Sequence, residues 1–428
     1  MGVSSDLRAR VTAAASEVAA EAVDFAAALV RIPTVNPPGE AYADAAKAIG
    51  DQLVRGGFVV SILPAEGRPE HTPRYPRPNV LGILEGHGPG PCLHLNGHFD
   101  VVPPGGGWTV DPFAGIVKGG RLYGRGACDM KAGIAAAVYA AEAVRRAGVR
   151  LRGRLEISGT VDEESGGQAG VAWLCERGYI ARGRTDYVII PEPFGVDRVC
   201  VGHRGVWWFE VTTHGRTAHG SMPFLGVSAI DQMAPVLEAV RRELKPALEA
   251  RETRMPVVPP GSRRATLNVN AVSGGQAGQA VQTPCVADRC TAIFDRRFLP
   301  EEGLESARRE IDELLERVRA RVPELRYELT DRMVVHPVET PEGSPLVACL
   351  TGAIREVCGR EASLVASPGS YDHKHVARIA GVEQCVAYGP GLLELAHQPD
   401  EYCDVADIAQ ATEVLALAML DVCGVAGG

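Results

Sequence analysis

Apolar and polar positions divide the chain into alternating helical and extended stretches. Residues 6–31 carry apolar side chains at the spacing of one helix face, and the pattern stops before "IPTVNPPGE", where two adjacent prolines end a helix. A second helix is predicted near 40–56. Four short β-rich runs appear next, "FVVSIL", "NVLGIL", "CLHLNG" and "RLEISG", with an Ala-rich helix over 131–147 between the last two. Strands mixed with helices predict an α/β fold, a mixed sheet flanked by helices.

After "YVIIPEP" the texture changes. The order becomes strand ("GVWWFEVTTHG"), long helix (228–250), strand ("ATLNVNAVSGG"), strand ("VADRCTAIFDRRF"), helix (303–321) and strand ("RYELTDRMVV"), with "GGQAGQAVQTP" as a polar loop. This is a self-contained α+β pattern of ordinary domain size. A helix over 345–358 and the runs "SLVAS" and "EQCVAYGPG" then return to α/β texture. The expected organisation is one α/β domain, residues 1–202 and 339–428, interrupted by an inserted α+β domain, residues 203–338.

Composition narrows the partners. A chain of 428 residues, 46% hydrophobic and 23% charged, has the make-up of a folded globular protein rather than a disordered one. Its net charge of -9, without a basic tract, repels a phosphate backbone, so nucleic acid is not an expected partner. Eleven cysteines scattered from Cys92 to Cys423 without a CxxC pair point to reduced thiols in the cytoplasm. Asp6, Glu17 and Glu21 interrupt the N-terminal stretch where a signal peptide is apolar. The most apolar helical run, "AGIAAAVYAAEAV", contains Glu142 and is too short to span a bilayer, so no membrane partner is expected either.

Five stretches put unusual polar residues at predicted strand ends. In "LHLNGHFDVV", His98 and Asp100 lie on the same side of an extended segment, so the carboxylate can orient the imidazole. Asp129 stands in "YGRGACDMKAG", between a Gly-rich turn and a helix; Asp162, Glu163 and Glu164 are adjacent in "TVDEESGG"; Glu192 lies in "IIPEP" and His397 in "ELAHQPDEY". Singly, each has an ordinary structural role open to it, such as helix capping for Asp129. Together they converge at the edge of a sheet where open α/β folds bind ligands. Clustered carboxylates repel and force one to take up a proton unless cations neutralise them. A pair of divalent metals does so, and His with carboxylate ligation suits Zn²⁺, with Co²⁺ or Mn²⁺ as alternatives.

In that order, "NGHFDVVP", "LYGRGACDMKAG", "TVDEESGG", "IIPEP", "GRTAHGSMP" and "AHQPDEY" resemble the dinuclear zinc amidohydrolases and peptidases of the M20 type, such as acetylornithine deacetylase, succinyl-diaminopimelate desuccinylase, aminoacylase-1 and glutamate carboxypeptidase. The resemblance runs from about residue 25 to 420. It implies a zinc-peptidase-like catalytic domain and an inserted lid that is also the dimerisation domain. It further implies that Asp129 bridges two metals, that His98 and Glu192 complete one site, and that Glu164 and His397 complete the other. Glu163 is then the general base, and a cis peptide follows Asp129. By the same resemblance His219 of the lid donates to the oxyanion in the partner subunit's site, and Arg297 in "FDRRFLP" binds a substrate carboxylate, with Arg296 as its rival. Gly389 and Gly391 form a substrate loop, and Asp372 in "SYDHKHV" fits the family pattern. His373, Lys374 and His375 remain open between substrate contacts and a solvated loop. The family's substrate-binding Asn has no secure counterpart near Gln282 and Thr283 in "QTPCVADRC".

The function this implies is hydrolysis of the amide of a small N-acyl amino acid or related N-acyl amine. A dipeptidase or carboxypeptidase, or an amidohydrolase of a non-amino-acid amine, would use the same centre. A non-catalytic scaffold is the reading from another class. It conflicts with the presence of all five implied ligands and Glu163.

Overall fold

The computed structural model describes residues 3–278 and 282–427, so the middle of the expected polar loop, residues 279–281, lies outside the described residues. The chain forms two compact units. One comprises residues up to Gly202 with Glu339–Val365 and Tyr371 onward; the other comprises His203–Val338 with Ala366–Ser370. The short segment after Val365 groups with the second unit because Ala366 packs with Met255 and Val257 and exchanges backbone hydrogen bonds with Pro256 and Val258.

In the first unit the strands lie side by side in the order Val59–Pro64, Pro78–Leu84, Leu155–Thr160, Leu93–His98, Tyr187–Ile190, Cys385–Ala387 and Arg198–His203. The four strands from Leu155–Thr160 to Cys385–Ala387 run parallel, and the outer pairings are antiparallel, so the sheet is mixed. Helices Ser5–Val30, Ala132–Arg146 and Val405–Cys423 pack on one another against the sheet. The last of these is not among the elements expected from sequence.

The strand Leu93–His98 is buried throughout, and its side chains alternate between two faces. Leu93, Leu95 and Gly97 share one face, where a Cβ on Gly97 would meet Ile134 of helix Ala132–Arg146 at 2.6 Å. His94, Asn96 and His98 share the other. There a row of hydrogen bonds crosses to the neighbouring strand and back: Glu156 to His94 (3.0 Å), His94 to Ser158 (2.7 Å), Ser158 to Asn96 (2.7 Å), and Asn96 to Asp372 (3.0 Å). Buried polar groups persist only when paired in this way.

The second unit is a four-stranded antiparallel sheet in the order Thr266–Gly275, Arg289–Phe298, Gly205–His214 and Tyr327–Val335. Its core holds stacked Trp207, Phe209 and Phe294, together with Leu314 and Leu315 of helix Leu304–Arg321. The single helix expected over 228–250 is instead Ala229–Ala239, a wider turn Val240–Leu244, and Lys245–Glu249. Pro235 and Pro246 each remove an amide donor from this stretch, the usual reason for such an irregular helix. No helix among the described residues is long and apolar enough to cross a membrane.

Candidate metal centre

The carboxylate and imidazole residues converge where parallel strands of the first unit end. His98 closes the strand Leu93–His98, Glu164 lies in the turn Glu163–Ser165 after the strand Leu155–Thr160, and Glu192 follows the strand Tyr187–Ile190. Asp129 sits in the buried turn Ala127–Lys131 ahead of helix Ala132–Arg146, and its peptide bond to Met130 is cis. His98 Nε2 lies 3.0 Å from Asp129 Oδ1 and 3.7 Å from Glu192 Oε1. His397 Nε2 lies 3.1 Å from Glu164 Oε1 and 3.6 Å from Asp129 Oδ2. Two triads result, His98–Asp129–Glu192 and Asp129–Glu164–His397, each with its ligand atoms within 4.8 Å of one another. Asp129 belongs to both and turns a different oxygen to each. Cys128, its neighbour in sequence, is outside both triads, and its thiol donates to the Leu392 carbonyl.

A second layer of buried acids holds this arrangement. Asp100 Oδ1 lies 3.4 Å from His98 Nδ1 and accepts the Glu163 N–H at 3.1 Å, while its Oδ2 accepts the Glu164 N–H at 3.2 Å and the Asn36 amide at 2.9 Å. His98 Nδ1 makes its hydrogen bond, at 3.1 Å, with the Asp100 backbone carbonyl, so Asp100 holds the imidazole through its main chain and the turn carrying Glu163 and Glu164 through its carboxylate. Glu401 does the same for Asp129: its Oε1 accepts N–H groups from Gly126 (2.9 Å), Cys128 (2.9 Å) and Asp129 (3.2 Å), and Arg125 pairs with Oε2. Asp162 is turned away from the triads into a buried pair with Arg77 Nε (2.6 Å) and the Tyr42 hydroxyl (2.8 Å). The acids at 162–164 are therefore not one cluster: a guanidinium neutralises the first of them. Arg77 is not signalled in the sequence, and Glu401, though inside "AHQPDEY", shows no role there, since each finds its partners far along the chain.

Electrostatics in the cluster follow from burial and crowding. Burial and the charge of Asp129 push the Glu192 carboxyl well above the usual range. Burial likewise raises Glu164, outweighing the His397 hydrogen bond that opposes it. The Glu164 hydrogen bond lifts His397 to about 9. Burial opposes the His98 imidazolium, yet Asp100 and Asp129 raise its pKa well above normal. Crowded acids thus hold protons on their own carboxyls and on the imidazoles beside them. Divalent cations relieve the same repulsion without protons, and the donor set of two His and three carboxylates fits them.

Among the other expected site residues, Glu163 is largely buried, with its Oε1 3.3 Å from Lys374 Nζ. Asp372 is buried behind it and accepts from Asn96, so its carboxylate does not face open solvent. A Cβ on Gly389 would fall 2.3 Å from the Pro191 carbonyl, and one on Gly391 would fall 2.7 Å from Cys128 Sγ. The close approach these glycines allow is to the loops bearing Glu192 and Asp129. In the second unit, His219 is exposed, and its Nδ1 receives the Ser221 backbone N–H at 3.2 Å and contacts Ser221 Oγ at 2.8 Å. An N–H only donates, so Nδ1 is the acceptor and Nε2 carries the proton. Arg297 pairs through Nε and Nη2 with Asp295 at 2.7 and 3.0 Å. Arg296 is fully buried against Glu302.

Comparison with known proteins identifies the family. The model of peptidase family M20/M25/M40 matches residues 94–421. A succinyl-diaminopimelate desuccinylase of Leptothrix cholodnii is 32% identical, the match covering 86% of this chain and 90% of that protein. The N-formyl-4-amino-5-aminomethyl-2-methylpyrimidine deformylase of Bacillus subtilis is 30% identical over 79% of this chain and 81% of that protein. In structure, the dipeptidase Dug1p of Saccharomyces cerevisiae superposes with a TM-score of 0.76 at 15% identity, covering 97% of this chain and 98% of that one. An M20 family metallo-carboxypeptidase of Sulfolobus solfataricus gives 0.73 at 19% identity, covering 94% and 99%. Fold and site define a metal-dependent amide hydrolase. The chain belongs to peptidase family M20/M25/M40.

Proposed function

We propose that the two triads hold a pair of Zn²⁺ ions and that the enzyme removes the acyl group from a small N-acyl amino acid or related amine. The observation that carries this reading is Asp129 shared between two ligand triads, with Glu163 next in the chain to Glu164 of the second. When bound, the metal pair supplies Lewis-acid activation of water and of the scissile carbonyl. Glu163 accepts the proton of the attacking water and returns it to the leaving nitrogen as the C–N bond breaks, yielding a carboxylic acid and a free amine. Asp100 keeps His98 and the Glu163 turn in register during that exchange.

His219 serves the oxyanion of the partner subunit's site, for which a proton on Nε2 is the required tautomer. Arg297, rather than the buried Arg296, reads a substrate carboxylate with the guanidinium edge that Asp295 leaves open. The reading of a homodimer formed through the inserted unit draws support from exposed Met222, Phe224 and Leu225, which follow His219 closely. Free thiols at all eleven cysteines accord with the cytoplasm.

Deacylation is preferred to dipeptide cleavage because relatives near 30% identity are named for removing succinyl or formyl groups, whereas the dipeptidase likeness lies at 15% identity. The deformylase also favours a second reading, a formylated heterocyclic amine as substrate. Assay of the Zn²⁺-loaded and Co²⁺-loaded protein on N-succinyl-diaminopimelate, N-acetyl amino acids, formylated aminopyrimidine and dipeptides separates these. Turnover of dipeptides alone would overturn the deacylase assignment.

A further inference from the structure

We propose that the segment Asp372–His375 is a clamp for the base-bearing turn, and that Lys374 is the positioning residue that decides which oxygen of Glu163 reacts. The inference rests on the reading of Glu163 as proton acceptor. The sequence leaves "DHKH" open between substrate contacts and a solvated loop, and burial rules out the solvated loop: Asp372, His373, Lys374 and His375 are all buried. Lys374 Nζ is 3.3 Å from Glu163 Oε1. The next residue, His375, donates its Nε2–H to the Gly166 carbonyl at 2.7 Å. Asp372 closes on the following residue, Gly167, where φ is +72° and a Cβ would lie 2.8 Å from Asp372 Oδ1.

Three of the segment's four side chains therefore span the turn from Glu163 to Gly167, while His373 turns to the Tyr371 hydroxyl. A buried ammonium needs an anionic partner, and Glu163 is the carboxylate within its hydrogen-bonding reach. With Oε1 engaged by Lys374, Oε2 is the oxygen that takes the proton from water. Lys374 acts on the reaction through Glu163.

The test compares Lys374→Met, Lys374→Arg, Glu163→Gln and the double variant Lys374→Met/Glu163→Gln on the panel substrate turned over fastest. Lys374→Met is expected to lower kcat by about 10²-fold, the scale of a misplaced catalytic group, with KM and metal content near wild type. Lys374→Arg restores most of the loss, and the residual turnover of Glu163→Gln is not lowered further by Lys374→Met. Independently of turnover, amide hydrogen exchange across 163–167 in the metal-free protein quickens in Lys374→Met and in His375→Ala, while the strand Leu155–Thr160 keeps its protection. Lys374→Gln carries the same comparisons where the Met variant does not fold. Unchanged kcat in Lys374→Met beside an inactive Glu163→Gln overturns the clamp alone. A raised KM with intact kcat makes Lys374 a substrate contact and overturns it too. Full activity of Glu163→Gln removes the proton-acceptor reading itself.

Discussion

Arg77 Nε and Asp162 Oδ2 meet at 2.6 Å in the interior, with both side chains almost wholly shielded from solvent. This pair separates Asp162 from the two glutamates that follow it. Removing one partner of a buried ion pair leaves the other charge stranded, at a cost of about 3–5 kcal/mol. Arg77→Met is therefore expected to lower the thermal unfolding midpoint of the metal-free protein by several degrees. An unchanged midpoint in differential scanning calorimetry would contradict a structural role for the pair.

The Asp100 carboxylate accepts the Glu164 N–H and lies 3.4 Å from the His98 imidazole, so its loss should appear in metal affinity. Outer-layer partners of this kind are worth about 10- to 100-fold in affinity. Asp100→Ala is expected to weaken Zn²⁺ binding by that amount, measured by competition with a chelating dye. Wild-type affinity would leave the carboxylate no orienting role.

Metal binding should release protons. In the metal-free protein His397 is raised to about 9 by Glu164, and Glu164 and Glu192 are raised by burial. At pH 7 the imidazole is protonated and must lose its proton to become a ligand. Affinity is thus expected to rise as pH increases toward 9 and to fall as acid protonates the carboxylates. Calorimetric titration in buffers of different ionisation enthalpy measures the release; no proton release at pH 7 would oppose the assigned ligand set.

Part of this candidate site is legible in the sequence because His98, Glu164 and Glu192 each come at or just after an apolar β run, as His98 follows "LHLNG" and Glu192 follows "YVII", whereas Asp129 and His397 sit in turns that do not directly follow one. The supporting layer is not. Asn96 and Ser158 alternate with apolar neighbours as on a half-solvated strand, yet the polar face is buried and satisfied by a row of hydrogen bonds reaching Asp372. Glu401 and Arg77 gain their meaning only from partners brought near by folding. The helix Val405–Cys423 is apolar on nearly all sides, so it lacks the stripe that marks a surface helix.

The proposed dimer predicts complementation. Glu163→Gln and His219→Ala subunits, each inactive alone, should regain part of the activity when exchanged into a heterodimer, because one of the two hybrid sites then contains both intact groups. Activity is followed after mixing and isolation of the heterodimer. A pure heterodimer without recovery would mean that His219 acts within its own chain or outside catalysis.

The division of labour between neighbouring glutamates, Glu164 as ligand and Glu163 as proton acceptor, is the centre of the account. Metal content by inductively coupled plasma mass spectrometry, measured on Zn²⁺-loaded wild type, Glu163→Gln and Glu164→Gln, tests it most directly. The prediction is about two equivalents per chain in the wild type and in an inactive Glu163→Gln, with about one equivalent lost in Glu164→Gln. Loss of an equivalent from Glu163→Gln, with Glu164→Gln fully loaded, would reverse the two roles and contradict the account.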